Sequence, residues 1–399
     1  SIDAQRTINL FPEVIQSGSG KGGAQTYLKS VPGLEQLFSM SEIYQRPIRL
    51  IHPRQSGGFF VVAESDLWLC TFDGTTWNET LVGGATNVFS TSSGPVRAAT
   101  SIVGEDEVVV FVDGVNNYLY YYDTSTSTTF WGNFAAFGYP GVGYATHVKY
   151  IDGYFVFNKA GANQFYVSDY ASFTVDPLSF ASAEGDIDNI EAIEVLNRNL
   201  ILLNSRSTEI WYNSGNADFP FERTSGGFFE QGILAKYSVG KDDKRIAWLA
   251  RSNIGQGEVY ALSGMVPEKI SDHALEQKIA TYANPENATG YMYNQEGHTF
   301  YVLTFDEATW AYDFTTGKWC ERAGFENGEL TRERIDCYCF IEEYNLHVCG
   351  DKSNSRVYKF SNSAHSVNTE VLVRERIMPH VSARGNLITC YALKIEMEV

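Results

Sequence analysis

The sequence contains little cysteine, little positive charge and no long apolar run. Its six cysteines among 399 residues include no Cys-x-x-Cys pair, which excludes a disulfide scaffold. The net charge of −18 disfavours binding to the phosphates of nucleic acids. The longest apolar runs, such as residues 108–112, are too short to cross a bilayer, and residues 1–6 lack the apolar core of a signal peptide. We therefore expect assembly in a reducing cytoplasm, without membrane insertion and without sequence-specific nucleic acid binding.

Aromatic residues and glycine are abundant instead. Aromatic residues make up 14% of the chain, and there are 35 glycines. One short pattern recurs along the chain: an apolar strand, a polar gap, and a second strand centred on an aromatic residue. The separations of these aromatic residues are 52, 46, 45, 49, 50 and 48 positions, and the residues are Trp68, Tyr120, Tyr166, Trp211, Tyr260, Trp310 and Tyr358. Such regular spacing indicates a repeat architecture.

A period of about 40–50 residues is typical of β-propellers, whose blades are four-stranded antiparallel sheets. Each blade buries both faces against its neighbours, which explains strands that are apolar without alternation, such as residues 108–111 and 200–203. We predict an all-β fold, a β-propeller of about seven four-stranded blades. The range is six to eight, because the copies of the repeat are degenerate.

The repeat divides the chain into three predicted regions. The propeller spans residues 47–365, an N-terminal arm spans residues 1–46, and residues 366–399 form C-terminal strands. The last of these strands alternates apolar and charged side chains, which is typical of a half-exposed strand. It either pairs with the N-terminal strand or begins a further β-domain. One helix is predicted in the fifth repeat, capped by Ser271, with Leu275, Ile279 and Tyr282 on one face.

Two stretches resemble ligand-binding motifs. Residues 18–23, GSGKGG, fail the phosphate-loop pattern because Ile15 stands where its first glycine belongs and Gly22 stands where it needs Ser or Thr. The best metal candidate is a hairpin whose alternation would place four side chains on one face: Cys337, Cys339, His347 and Cys349. Four ligands on a flat ladder converge poorly, so packed core is the preferred interpretation, and we expect no metal and no cofactor.

The acidic residues Glu184, Asp186 and Asp188 are the best catalytic candidates, because paired carboxylates drive glycoside hydrolysis. They lie in a loop that contains glycine, where Asp is also an ordinary turn former. Residues 71–77 approach the aspartate turn of sialidases but lack the residue between Asp73 and Gly74. No hydrolase or zinc-protease motif is present, so we expect no enzymatic activity and assign no catalytic residue.

Several stretches resemble the tail hub proteins of short-tailed bacteriophages, also called packaged-DNA stabilisation proteins. Residues 5–13, QRTINLFPE, followed by Pro32-Gly33-Leu34, resemble the opening of that family. The most specific stretches are AEGD at 183–186, TEIWYNSG at 208–215, FPFER at 219–223 and EQG at 230–232. TWAYD at 309–313 with GKW at 317–319 resembles a later strand pair. The resemblance extends from about residue 5 to the end of the chain.

This resemblance implies a structural protein of the virion tail, assembled in the host bacterial cytoplasm. It would form a homo-oligomeric ring, a hexamer, that closes the portal–adaptor channel, retains the packaged genome and docks needle or fibre proteins. The negative charge is compatible with this role, because a gasket holds DNA sterically. The alternatives are a carbohydrate-binding or glycan-cleaving propeller and a scaffold propeller of cellular origin, since one fold hosts all three functions.

The two chain ends are the predicted contact regions for the ring and the adaptor. Residues 351–399 carry a net charge of +2, so residues 1–350 carry −20, and the basic end can attract a neighbour's acidic surface. Free strand edges at chain ends are also suited to β-addition. The predicted contact residues are Ile8, Leu10, Phe11, Arg374, Arg376, Lys394 and Met397. The alternative is that these strands close the propeller or pair with each other.

Overall fold

A computed structural model describes residues 6–15, 25–40, 46–84, 86–134, 144–186, 188–251, 257–367 and 369–377. Four strands precede the predicted propeller: β1 (Arg6–Ile8), β2 (Leu10–Ile15), β3 (Gln25–Ser30) and β4 (Gly33–Ser39). Strands β2 and β3 pair with each other as an antiparallel hairpin.

Seven groups of strands follow, and each group forms an antiparallel sheet in which consecutive strands pair. The first sheet contains β5 (Ile48–Pro53), β6 (Phe59–Ala63), β7 (Asp66–Phe72) and β8 (Trp77–Leu81). The second contains β9 (Arg97–Val103), β10 (Asp106–Val112), β11 (Asn117–Asp123) and β12 (Thr128–Asn133). The third contains β13 (Val148–Ile151), β14 (Tyr154–Asn158), β15 (Gln164–Val167) and β16 (Phe180–Ser182). The next two contain β17 (Ile190–Leu196), β18 (Asn199–Asn204), β19 (Thr208–Asn213) and β20 (Phe221–Phe229); and β21 (Gly240–Lys241), β22 (Ile246–Arg251), β23 (Gly257–Leu262) and β24 (Pro267–Lys269).

A short helix, α1 (His273–Ile279), connects the fifth sheet to the sixth. The sixth sheet contains β25 (Thr289–Gln295), β26 (His298–Thr304), β27 (Thr309–Asp313) and β28 (Lys318–Glu326), and β29 (Glu329–Arg332) pairs with the end of β28. The seventh begins with β30 (Ile335–Ile341), β31 (Leu346–Asp351) and β32 (Arg356–Ser361). Three short strands end the described chain: β33 (Ser366–Val367), β34 (Glu370–Val371) and β35 (Glu375–Ile377).

The fourth strand of the seventh sheet comes from the other end of the chain. Strand β4 pairs antiparallel with β32, so that Leu34 opposes Phe360 and Phe38 opposes Val357. The predicted boundary at residue 47 therefore needs correction, because residues 33–39 belong to the propeller and not to an arm outside it. The physical reason is that β32 would otherwise leave its backbone groups and an apolar face unpaired.

Seven apolar clusters lie between successive sheets, and the last cluster joins the seventh sheet to the first. In that closing cluster Phe38 and Val348 pack with Ile48 and Phe59. Sheets that are covered on both faces need strands without alternation, and all five residues of β6 are buried. This closed ring of seven sheets is a β-propeller, and the predicted all-β propeller is confirmed.

The recurring pattern maps onto one position in every blade. Each apolar run lies in the second strand of its sheet, and each marker aromatic lies in the third strand: β7, β11, β15, β19, β23, β27 and β32.

The helix starts one residue later than predicted, because Asp272 and not Ser271 caps it by accepting a hydrogen bond from the Leu275 backbone N–H at 2.8 Å. Leu275 and Ile279 are buried as expected. Among the described residues, no helix has the length and apolarity that a membrane crossing requires.

Candidate assembly site

The first and last described segments of the chain meet at the outer edges of the sixth and seventh sheets. Strand β1 pairs in parallel with β28 and antiparallel with β35, so it joins the sixth sheet to the C-terminal strands. Strand β33 pairs in parallel with β4, and β34 pairs with β33. We call the surface formed by β1, β33, β34 and β35 the terminal platform. Within the described residues, β34 and β35 are its outermost strands and have a free edge.

Asn9 joins the N-terminal strands to both the sixth sheet and the C-terminal segment through side-chain hydrogen bonds. Its backbone is left-handed, with φ of 54°, and its side chain is buried. The Asn9 Nδ2 group donates to the carbonyls of Ala323 and Val373, both at 2.8 Å, and Oδ1 accepts from the Ala323 N–H at 3.0 Å. Asparagine is one of the few residues that accept this backbone and can also replace a peptide group in pairing. The positive φ was not evident from the sequence, although Asn9 lies in the stretch that carried the family resemblance.

A buried histidine holds the β2–β3 hairpin against the sixth sheet. His298 Nδ1 lies 2.8 Å from Asp313 Oδ2, and Nε2 lies 3.1 Å from Glu13 Oε2 on β2. Lys29 on β3 pairs with Glu13 at 3.6 Å and also contacts Glu296. Burial alone would lower the pKa of His298, but the carboxylates of Asp313 and Glu13 raise it above its ordinary value. The hydrogen bond from His298 lowers the pKa of Glu13.

The predicted contact residues divide into four groups. Ile8 and Phe11 are fully buried within the chain, and the Phe11 ring packs 5.0 Å from His298 and from Phe300. They therefore anchor the N-terminal strands and do not face a partner, because burying them inside the chain removes their apolar surface from water. Leu10 is half-buried. Lys394 and Met397 lie outside the described residues.

Arg374 and Arg376 are exposed on the terminal platform. The Arg374 Nε group donates to Ser30 Oγ at 2.6 Å, and the Arg376 guanidinium donates to the Thr7 hydroxyl. These contacts link the C-terminal segment to β3 and β1, and both residues are exposed. Val371 and Ile377, on the outermost strands, are 65% and 39% exposed. The platform thus combines a free strand edge, two exposed cations and apolar side chains, which is a composition suited to binding a protein.

The four metal candidates do not share a face. The four-residue turn between β30 and β31 pairs Cys337 with Gly350, Cys339 with Val348 and Phe340 with His347. Residues of opposite parity therefore lie on one side, and the expectation of a single ligand face is wrong. Cys337 and Cys339 pack toward the first sheet, whereas Cys349 packs toward the sixth. Across the described residues, no group of three or more His, Cys, Asp or Glu side chains is placed to hold a metal ion.

The acidic loop is used for turn formation. Asp188 is buried and accepts hydrogen bonds from the backbone N–H groups of Arg206 and Ser207 at 2.7 and 2.9 Å. Glu184 and Asp186 are exposed. Asp73, in the stretch that approaches the sialidase turn, accepts from the N–H groups of Thr75 and Thr76, both at 2.8 Å. The carboxylates of Asp188 and Asp73 therefore accept hydrogen bonds from turn N–H groups. The phosphate-loop candidate at residues 18–23 lies outside the described residues.

The fold and the platform define a class: a closed β-propeller whose two chain ends are paired together on adjacent blades. A family comparison then identifies the group. The family described as "Bacteriophage P22 Gp10, beta-propeller" matches residues 4–365, and the chain belongs to this family. The resemblance inferred from the sequence is thus confirmed, and the protein is a structural protein of a phage tail. Comparison with curated proteins finds no match.

Solved structures share only the fold. An extracellular domain of the one-component system BT4673 from B. thetaiotaomicron aligns with a TM-score of 0.51 at 10% identity, over 82% of this chain and 39% of that chain. YCF48 from Cyanidioschyzon merolae aligns with a TM-score of 0.49 at 11% identity, over 83% of this chain and 100% of that chain. This chain therefore spans well under half of the BT4673 domain. At these identities the likeness concerns architecture alone.

Proposed function

We propose that the protein is the tail hub that closes the portal–adaptor channel, retains the packaged genome and docks needle or fibre proteins. It acts as a homo-oligomeric ring, a hexamer, without catalysis. The observation that carries this proposal is the family membership across residues 4–365. It is supported by the negative charge of the chain and by Asp188 of the acidic loop, whose carboxylate accepts turn hydrogen bonds.

The terminal platform is the proposed contact with the adaptor. Its exposed cations, Arg374 and Arg376, are suited to an acidic partner, and the chain itself is acidic, so a neighbouring copy also fits. The free edge of β35 offers backbone groups for β-addition. Leu10 stays in the proposed contact set, as do Lys394 and Met397. Ile8 and Phe11 leave it because they are buried.

Charge reversal tests this contact. We expect the double variant Arg374→Glu, Arg376→Glu to reduce binding to a purified portal–adaptor assembly by at least about tenfold, because it places negative charge against an acidic partner. Native mass spectrometry and co-sedimentation measure the binding, and circular dichroism checks the fold. The control is Lys244→Glu, an exposed charge reversal on the turn before β22.

The two parts of the proposal fail separately. If the wild-type chain forms no complex with the portal–adaptor assembly, the hub function is wrong. If the wild-type chain binds and the double variant binds equally well, the hub function stands and the platform is not the contact.

A further inference from the structure

The innermost strands carry charged side chains toward the propeller axis. Lys149 on β13 lies 2.7 Å from Glu194 on β17, and Lys241 on β21 lies 3.8 Å from the same carboxyl group. Glu194 is buried, and these two cations lower its pKa although burial opposes the shift. One carboxylate is therefore shared between two lysines, and it also acts on the Arg97 guanidinium without forming an ion pair with it.

A cavity of about 390 Å³ opens where the loops before the innermost strands converge. Its walls come from the first, second, fifth, sixth and seventh sheets, and Tyr237 and Lys236 contribute one side. Two cations and one imidazole ring lie close to the Tyr237 ring. The Arg97 guanidinium lies 5.1 Å from the ring centroid, Lys236 Nζ lies 5.2 Å from it, and the His147 ring stacks on it at 5.3 Å. This volume is enough for a small ligand.

Arg97 and Lys236 form no ion pair. Among the described residues, no carboxylate oxygen lies within 4.0 Å of either cation. Arg97 is half-buried and donates one hydrogen bond, to the Tyr237 carbonyl at 3.3 Å. Arg49, a third cation on the cavity wall, differs because its guanidinium is held by the carbonyls of Glu64, Thr91, Ser93 and Gly94. Enclosing unpaired cations costs free energy that a bound anion would recover.

Two buried histidines in this region have lowered pKa values, because of burial and of nearby cations. The pKa of His147 lies well below its ordinary value because of burial and because Arg97, Lys149 and Lys236 surround it. Burial, with a further contribution from Lys149, lowers the pKa of His52 to about 4. Both imidazoles are therefore neutral at pH 7. Asp113 and Glu191 also act on Tyr237, so the site carries some negative charge as well.

The cavity wall also carries acidic side chains. Glu286 and Asp306 line it and are exposed, and Asp336 is paired with Arg332 at 2.8 Å. Exposed carboxylates beside the cavity repel long polyanions more strongly than they repel a single small anion. Lys236 lies on the cavity wall itself, and Arg97 contacts the Tyr237 ring that lines the wall.

We infer that Arg97 and Lys236, together with Tyr237, form a binding site on the propeller axis for a small oxyanion of the phosphate type. The guanidinium of Arg97 presents a planar set of donors that matches phosphate oxygens, and Lys236 adds a second charge. The inference is independent of the proposed hub function, because it rests on the axis and not on the terminal platform.

Titration with inorganic phosphate tests the site. We expect saturable binding of one phosphate per chain by calorimetry and a rise in the melting temperature that chloride at the same ionic strength does not produce. Arg97→Gln and Lys236→Gln should each weaken phosphate binding by about tenfold, because each removes one charged contact. The matched control is Lys244→Gln, which removes an exposed charge outside the cavity and should leave binding unchanged.

Three results would overturn the inference. The same heat and the same melting temperature with chloride as with phosphate would mean that no specific site exists. Equal phosphate affinity of Arg97→Gln, Lys236→Gln and the wild-type chain would place any bound phosphate elsewhere. Displacement of phosphate by a short DNA duplex at equal phosphate concentration would contradict the exclusion of polyanions. Circular dichroism of both variants shows whether the fold is intact, and the phosphate-specific shift of wild-type protein remains decisive if one variant misfolds.

Discussion

At the scale of single residues, Asn9 shows how one side chain can join three segments. We expect Asn9→Ala to lower the free energy of unfolding by about 3 kcal/mol, because it leaves two carbonyls and one N–H group buried without their partner and keeps a strained left-handed backbone. Urea unfolding followed by circular dichroism measures the loss.

The control for Asn9 is Asn345→Ala. Asn345 has the same left-handed backbone, with φ of 51°, but it is exposed on the turn between β30 and β31. Its replacement therefore has the backbone cost without the buried hydrogen bonds, and a loss of about 1 kcal/mol is expected. Equal losses for the two variants would show that the Asn9 side chain contributes nothing beyond its backbone conformation.

At the scale of elements, the β2–β3 hairpin depends on pH through His298. Its pKa is raised in the folded chain, so the stability that it contributes is fully present below its unfolded pKa and is lost as the pH rises through the folded value. The pKa of Glu13 is lowered, so its contribution is lost as the pH falls through that folded value. The window of tight docking therefore lies between the two folded values.

We expect protection of the β2–β3 backbone amides from hydrogen exchange to fall in the wild-type chain as the pH rises above the ordinary histidine pKa of about 6.5, after correction for the intrinsic exchange rate. His298→Gln should remove this pH dependence. The control is His273→Gln, because His273 is exposed on α1 and contacts Gln277. The interpretation fails if the pH dependence survives in His298→Gln.

At the scale of the whole molecule, closure by β4 couples the two ends of the chain. Phe38 packs against Phe59 and Trp77 of the first sheet while its strand pairs with the seventh. We expect Phe38→Ala to lower the free energy of unfolding by about 3–5 kcal/mol and to reduce hydrogen-exchange protection in the first and seventh sheets together.

The control for closure is Phe130→Ala, because Phe130 lies on β12 of the second sheet, is 50% exposed and contacts Tyr121 of the same sheet. Its loss should stay near 1 kcal/mol and should not reach the seventh sheet. If Phe38→Ala affects the protection of β4 alone, closure is local and the ring does not unfold as a unit.

The all-β class and the repeat could be predicted from the sequence, because both depend on local chemistry. Blade packing on two faces demands apolar strands, and the third strand of each blade carries a large aromatic residue, so Trp68 and Tyr358 mark the same strand in the first and the seventh blade. The family resemblance could be recognised for a similar reason, since its stretches include turn and packing positions. Gly232, for instance, lies so close to the Arg206 backbone that a Cβ would approach within 2.4 Å.

Tertiary structure alone decided which distant segments pair and which side chains share a face. Periodicity identifies strands but carries no information on partners, so the placement of β4 on β32 and of β1 on β28 could not be deduced. The register of the β30–β31 hairpin could not be deduced for the same reason. The length of its turn decides which residues pair, and it places Cys337 and Cys349 on opposite faces of the sheet. The cations around Tyr237 come from strands and loops of different blades, and only closure of the ring brings Arg97 and Lys236 together. The sequence by itself thus determined the repeating unit and its apolar pattern, whereas contacts between units arise from long-range packing that no local pattern encodes.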